Sequence, residues 1–297
     1  MTVNGILNVN KHQGATSFQI VSAIRRLSGQ KRVGHAGTLD PLATGVLPVC
    51  LGLATRIIEY IHSLPKEYIA GIMLGAETDT YDAQGTVISR GDFSHVTIDR
   101  IREILPQFIG EITQIPPPYS AIKVNGVPSY IRARAGLSEQ LKPRYVNIFS
   151  IDVISFVSPY LKIRVRCSKG TYIRSLVHDL ANMLGCQAYL NDLIRTAYGP
   201  YNLDTALSLE EIAGSIATKG FSQLLYSLDH PLSGWPKIII DQNLIASVMN
   251  GKSIVIDNAP VDNGSFLRCY DRYGKLIAVL RYEACSRLWH PEKVFIR

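Results

Sequence analysis

The residues best suited to chemistry sit in one glycine-rich stretch, Arg32-Val-Gly-His35-Ala-Gly-Thr-Leu-Asp40-Pro-Leu-Ala-Thr-Gly45-Val-Leu. Its glycines let the backbone come close to a ligand, and Pro41 biases Asp40 toward an extended conformation. An aspartate held on such a loop, near basic residues, stays ionised and can act as a nucleophile. A turn aspartate making an Asx hydrogen bond fits the same residues, and sequence physics leaves both open.

Other signatures fail on their spacing. Gly29-Gln-Lys-Arg-Val-Gly34 has the glycine interval of a Walker A loop, but His35-Ala36 stands where the phosphate lysine and the magnesium hydroxyl belong. Neither G-x-G-x-x-G nor G-x-S-x-G occurs, so the dinucleotide fingerprint and the nucleophile elbow are missing. Asp79-Thr-Tyr-Asp82 is acidic but lacks the D-x-D-x-D spacing of a calcium loop. Cys50, Cys167, Cys186, Cys269 and Cys285 are odd in number, with no C-x-x-C. Buried reduced thiols are expected, without a disulfide framework and without a metal site.

The elements that must position the loop follow from periodicity. A strand over Gly5–Asn10 opens the chain, and Thr16 and Gln19 have the spacing of a capping box. The helix they start buries Ile20, Val21, Ile24 and Leu27, turns Arg25 and Arg26 outward, and ends at Gly29. Residues 29–45 read as loop, Val46–Leu51 as a buried strand, Ala54–Ser63 as a helix and Tyr68–Leu74 as a strand. Ala76–Gly85 reads as a polar turn region and Ile98–Phe108 as a helix, while Pro116-Pro-Pro118 excludes both elements there. Tyr145–Val157 and Leu161–Cys167 are strands, the second with Lys162, Arg164 and Arg166 on its solvent face. A helix over Thr171–Leu184 is closed by Gly185. Strands and helices without regular βαβ alternation predict an α+β fold on a mixed, largely antiparallel sheet. After Pro231-Leu-Ser-Gly-Trp-Pro236 come short segments at Ile238–Ile240, Ser253–Ile256, Ser265–Tyr270, Leu276–Leu280 and Lys293–Ile296. They predict a small all-β module over 235–297, beside a larger domain over 1–230.

At 297 residues, 46% apolar and 19% charged, the chain buries a real core, which excludes disorder as its main state. Apolar runs such as Val46–Leu53 stop far short of the roughly 18 residues of a membrane span. The N-terminus carries no basic region leading into a long apolar stretch, so a cytoplasmic location is expected. The net charge of +7 is unevenly spread. Residues 121–182 hold ten basic and three acidic residues, and 62–120 hold four and eight. Basic blocks separated by an acidic one point to a positive face and a phosphate-rich partner.

Gly34-His-Ala-Gly-Thr-Leu-Asp-Pro-Leu-Ala-Thr-Gly45 closely resembles the catalytic motif of the TruB family of tRNA pseudouridine-55 synthases. Gly5–Lys11, Lys66–Gly75, Thr78–Asp82, Ile115–Lys123, Tyr130–Gly136 and Cys167–Arg174 agree with it in the same order, so the resemblance covers roughly residues 5–200. Residues 235–297 resemble a PUA-type RNA-binding module.

The resemblance implies a pseudouridine synthase fold and isomerisation of a tRNA T-loop uridine, at position 55. Asp40 would be the nucleophile, His35 the histidine placed against the RNA, and Tyr68 the aromatic stacked on the flipped uracil. Tyr172 would contact that nucleotide, Arg174 pair with the carboxylate, and Leu193 close the pocket. Tyr172 and Arg174 lie two apart at a predicted helix start, so they share a pocket only if that turn is irregular. His12, Tyr189 and Ile194 depart from the family pattern, where proline, histidine and arginine are usual. Isomerisation gains no atom and no electron, so no cofactor and no metal is expected. The T-arm of tRNA is the expected partner of a monomer with no membrane and no obligate protein partner. A non-catalytic tRNA-binding or chaperone protein, or a guide-RNA-dependent synthase, would share the fold.

Overall fold

In the computed structural model, which describes residues 3–120, 122–124, 126–134, 141–256, 262 and 264–296, strand β1 (Gly5–Lys11) leads into helix α1 (Ser17–Ser28). The capping box is present: Gln19 N–H donates to Thr16 Oγ1 and Thr16 N–H to the Gln19 side chain, and Gly29 ends the helix at φ 64°. Ile20, Val21 and Ile24 are buried, whereas Leu27, in the last turn, is exposed. The glycine-rich stretch is not wholly loop. Val33–His35 forms a short strand, β2, paired with the far end of β3 (Thr44–Leu51), so the free loop is confined to 36–43. A 3₁₀ turn over Gly52–Ile57 then runs into α2 (Ile58–His62), where one helix was expected.

Next come β4 (Lys66–Leu74), the hairpin β5 (Ala76–Thr78) and β6 (Val87–Arg90), α3 (Ile98–Ile104) and β7 (Gly110–Gln114). A two-residue ladder, β8 (Lys123–Val124) with β9 (Val127–Pro128), precedes α4 (Ser129–Arg134). Of the stretches that carry the family resemblance, Ala121 and residues 135–136 lie outside the described residues. β10 (Arg144–Val157), β11 (Tyr160–Cys167), α5 (Ile173–Leu184), β12 (Ala188–Tyr198), β13 (Tyr201–Asn202) and α6 (Leu209–Lys219) complete this part. The remainder is β14 (Lys237–Ile239), α7 (Gln242–Met249), β15 (Phe266–Tyr270), β16 (Leu276–Glu283) and β17 (Leu288–Val294).

Among the described residues the main sheet has nine strands, in the order β1-β3-β12-β4-β11-β10-β7, with β2 joined to β3 and β13 to β12. Every pairing in it is antiparallel except β3 with β12, as an α+β chain with a mixed, largely antiparallel sheet requires. The C-terminal sheet runs β14-β15-β16-β17, and α7 packs against β16 and β17. Only two turns of apolar spacing, at Leu244, Ile245 and Val248, mark that helix within a segment expected to be all-β.

Helices α1, α3 and α5 share one apolar cluster with the main sheet. A second cluster joins Ile6, Cys50, Ile57, Tyr60, Tyr198 and Tyr201 to Val279 and Phe295 of the C-terminal segment. Trp235 stacks on Phe266 at 4.7 Å and meets Tyr60 edge-on at 5.0 Å, so the two parts share buried aromatic surface. Each such side chain contributes about 1.5–3 kcal/mol when fully buried. Four cysteines are buried as expected, whereas Cys285 lies exposed between β16 and β17. Among the described residues no helix is long and apolar enough to cross a membrane.

Candidate active site

Asp40 sits on the 36–43 loop between β2 and β3, and that loop is tied down on several sides. Leu39 N–H donates to Ser17 Oγ at 2.9 Å and Ser17 Oγ donates to the Leu39 carbonyl at 3.2 Å. Gly14 N–H donates to the Pro41 carbonyl, and Ala43 N–H to that of Asp40. Leu39, Leu42 and Ala43 are buried. Gly45 has φ +100°, and a Cβ there would lie 2.3 Å from the Arg195 carbonyl oxygen, so this end of the loop admits only glycine. Strapped between α1 and β12, the loop turns Asp40 outward, its side chain 42% exposed.

A buried cation meets it. Arg174, 5% exposed, places Nη2 2.8 Å from Asp40 Oδ2 and Nη1 3.5 Å from Asp82 Oδ2. Its guanidinium also donates to the carbonyls of Thr80 (3.3 Å) and Tyr119 (3.1 Å). Asp82 is buried, and its Oδ1 accepts from Thr80 Oγ1 and Gln84 N–H. The turn at the start of α5 is irregular in the way the spacing demanded. Tyr172 is the N-cap, with extended backbone at φ −101° and ψ 111°, while Arg174 lies within the first helical turn. Buried Gln114 clamps that bend, accepting from Tyr172 N–H at 2.8 Å and donating to its carbonyl at 3.0 Å.

These groups face a cavity of about 740 Å³ whose walls include Asp40, Tyr68, Tyr172, Arg174 and Leu193. Tyr68, on β4, is 8% exposed, and burial pushes its phenol up from the ordinary value. Burial likewise raises the Tyr172 phenol, with Arg144 opposing. Lys142, Arg144 and Lys169 add a basic rim. His35 is not on the wall: it ends β2 and bonds the backbone of Gly37, and burial lowers its pKa. The structure thus brings five of the six expected residues together on the cavity wall, and His35 is not among the lining residues.

Strand β12, which carries Leu193, holds a further residue of the site that periodicity does not mark. Arg195 is 1% exposed; its Nε donates to the Val46 carbonyl at 2.7 Å and Nη2 to that of Gly37 at 3.1 Å. Its guanidinium lies 4.9 Å from the Tyr198 ring, and Lys66 Nζ lies 4.4 Å from the other partner of that contact, the same ring. Lys66 bonds the carbonyls of His62 and Leu64, and burial pulls its pKa down to about 8. The available signal was an arginine inside the apolar run Leu193-Ile-Arg-Thr-Ala-Tyr198. Among the described residues no cluster of three or more His, Cys, Asp or Glu could hold a metal ion. A larger groove, about 1170 Å³, runs between Gly29–Arg32, Gly52–Arg56 and Val294–Ile296. It presents Lys31, Arg32 and Arg56 but no carboxylate, so volume alone misplaces the chemistry.

Two family models match. The TruB family pseudouridylate synthase N-terminal domain covers residues 25–173, and the tRNA pseudouridylate synthase B C-terminal domain covers residues 174–233. The tRNA pseudouridine synthase B of Dehalococcoides mccartyi (strain ATCC BAA-2266 / KCTC 15142 / 195) is 44% identical, across 99% of this chain and 97% of its own. That of Francisella philomiragia is 46% identical, across 100% and 98%. Among solved structures, a Cbf5-Nop10-Gar1 complex matches with TM-score 0.77 at 26% identity, over 98% of this chain and 85% of that one. An H/ACA RNP bound to a substrate RNA containing 2′-deoxyuridine shares the fold, with TM-score 0.76 at 24% identity, over 99% and 85%.

Proposed function

The chain belongs to the TruB family of pseudouridylate synthases, and on that footing we propose that it converts a tRNA uridine, position 55 of the T-loop, to pseudouridine. The observation that supports this reading most is the exposed Asp40 carboxylate 2.8 Å from buried Arg174, beside Tyr68 and Tyr172 in one cavity.

The reaction breaks the bond from C1′ to N1 of uracil, turns the base, and joins C1′ to C5. The proton on C5 leaves, and N1 ends with one. Asp40 serves by adding to C1′ or by drawing off the 2′ proton on a glycal route; both need an anion at that place. Arg174 orients the carboxylate. The target base leaves its stack, and Tyr68 offers a ring face worth about 1–3 kcal/mol to it. Leu193 and the buried walls keep water from the detached base. Lys142, Arg144 and Lys169 suit the phosphates on either side of the flipped nucleotide. His35, which does not line the cavity, is left to meet the RNA outside it.

The same proposal includes a catalytic domain over 1–230, an RNA-binding module over 235–297, a monomer without an obligate protein partner, and a cytoplasmic location. The test is pure protein with a uridine-containing tRNA transcript, followed by mapping of pseudouridine. Product at position 55 without added RNA or protein supports the reading. Tight binding without product favours a chaperone, and product only with a guide RNA favours a guide-RNA-dependent synthase.

A further inference from the structure

Two residues that the reaction does not use are built into an unusual contact beside the site. Tyr81 has φ 61°, a left-handed backbone that side-chain-bearing residues rarely adopt. Such strain persists only where the surroundings hold it. Its side chain is packed by His178, whose ring stacks on Tyr81 with centroids 4.2 Å apart and planes 15° from parallel. His178 is itself fixed at both nitrogens: Nδ1 is 3.0 Å from Glu77 Oε1, and Nε2 is 3.1 Å from the Asn182 amide nitrogen.

The spacing shows what is being held. Arg174, His178 and Asn182 are four residues apart on α5 and share one face. That face grips the 79–82 turn twice: Arg174 takes the Thr80 carbonyl and the Asp82 carboxylate, and one turn later His178 takes the Tyr81 ring. Glu77, on β5, anchors His178 from the strand that feeds the turn. Tyr81 N–H donates to the Thr78 carbonyl, and its own carbonyl accepts from Leu190 N–H, tying the turn to β12. Releasing the ring would let Tyr81 leave the left-handed region, which rotates the Thr80 carbonyl and Asp82 away from Arg174.

We propose that His178, with Glu77 behind it, is a positioning residue: by stacking on Tyr81 it holds the 79–82 turn in the conformation that aims Arg174 at Asp40. This rests on the reading of Asp40 and Arg174 as the reacting pair, and it adds a supporting stack that acts through the turn.

The test uses the full chain and two independent readouts. In Tyr81→Ala and His178→Ala, single-turnover pseudouridine formation at saturating enzyme should fall roughly 10- to 100-fold, as misplacement by about an ångström does, while tRNA Kd stays within about two-fold. Tyr81→Phe keeps the stacking face and should restore the rate. In an Asp82→Asn background, Tyr81→Ala should add less than about two-fold, because both changes act through one network. The second readout needs no catalysis: amide hydrogen exchange at Ala83 and Leu190 should quicken about ten-fold or more in Tyr81→Ala. Full rate in Tyr81→Ala, a multiplicative loss with Asp82→Asn, or a loss in affinity instead of rate would overturn the proposal. Unchanged exchange would overturn it even if the wild-type chain made no pseudouridine, an outcome that separately removes the functional reading.

Discussion

Asp40 and Asp82 share the Arg174 guanidinium, yet their surroundings differ in nearly every respect. Asp40 stands on a loop with its side chain 42% exposed, and it pairs with the arginine at 2.8 Å. Asp82 has a side chain only 6% exposed, lies 3.5 Å from the arginine, and is tied by Thr80 Oγ1 and Gln84 N–H. The difference separates presenting a charge from keeping one. An arginine buried with a single carboxylate would be stranded whenever that carboxylate turned to substrate, and an unpaired buried charge is costly. With Asp82 as standing counter-ion, Asp40 can leave the pair and Arg174 stays neutralised.

The comparison breaks first at Asp40. Asp40→Asn is nearly isosteric and keeps the loop bonds, so turnover should fall on the order of 10³-fold or more while tRNA affinity holds, because affinity comes mainly from phosphates. Single-turnover product formation and filter binding would show it. Arg174→Ala removes the shared cation and leaves Asp82 buried without it, and should cost about 3–5 kcal/mol of stability, read from urea midpoints, beside a partial loss of rate. Asp82→Asn keeps the shape and removes the standing counter-ion. It should slow turnover by roughly 10- to 100-fold and leave Kd unchanged, an effect well below that of Asp40→Asn if the two roles differ. Tyr68 sharpens the side proposed to face substrate: Tyr68→Ala should lose about 1–3 kcal/mol of substrate engagement in binding titrations, and Tyr68→Phe should not.

The smallest effect concerns two buried cations that bond carbonyl oxygens instead of carboxylates. Lys11 donates to the carbonyls of His12 and Ala15, Lys66 to those of His62 and Leu64, and burial pulls each pKa down to about 8. Above that value the folded protein has released these protons while the unfolded chain, at the ordinary 10.5, still binds them. Stability should therefore rise with pH between about 8 and 10, by on the order of 1 kcal/mol per lysine. Lys11→Met should flatten that rise in urea titrations, whereas a surface lysine variant should not.

What could be read beforehand was whatever local periodicity or a single motif encodes. Helix α1 with its capping box, the β10–β11 pair and the Asp40 loop were legible in this way. Strand β12 was not. It lies in the middle of the sheet, yet Asn191, Asp192 and Arg195 interrupt its apolar pattern, and its register shifts at Leu190/Asp192 and Arg195/Ala197. Polar residues inside a central strand make sense only once their partners are known, here the carbonyls of Val46 and Gly37 for Arg195. Gln114 and Asp82 were hidden for the same reason, since each acts through a residue more than fifty positions away. His35 shows the converse: the motif puts it beside the aspartate loop, whereas the structure pairs it in β2 with Val49 and leaves it off the cavity wall.

The apolar cluster that joins Ile57 and Tyr60 to Val279 and Phe295 also sets a timetable. Lys293 Nζ lies 2.7 Å from Glu59 Oε1, so residues near 60 complete their surroundings with residues near 295. Ribosomes add about 5–20 residues per second, which leaves the first partners waiting for roughly 10–50 s before the second exist. Through that interval the part of the Tyr60 surface that meets Trp235, Phe266 and the C-terminal strands stays uncovered, although Ile6 and Cys50 of the same cluster are already made. Contacts of such long sequence separation also close slowly once the chain is free. Premature release of this polypeptide would therefore yield a species whose loop sequence is intact but whose second core is open on one side.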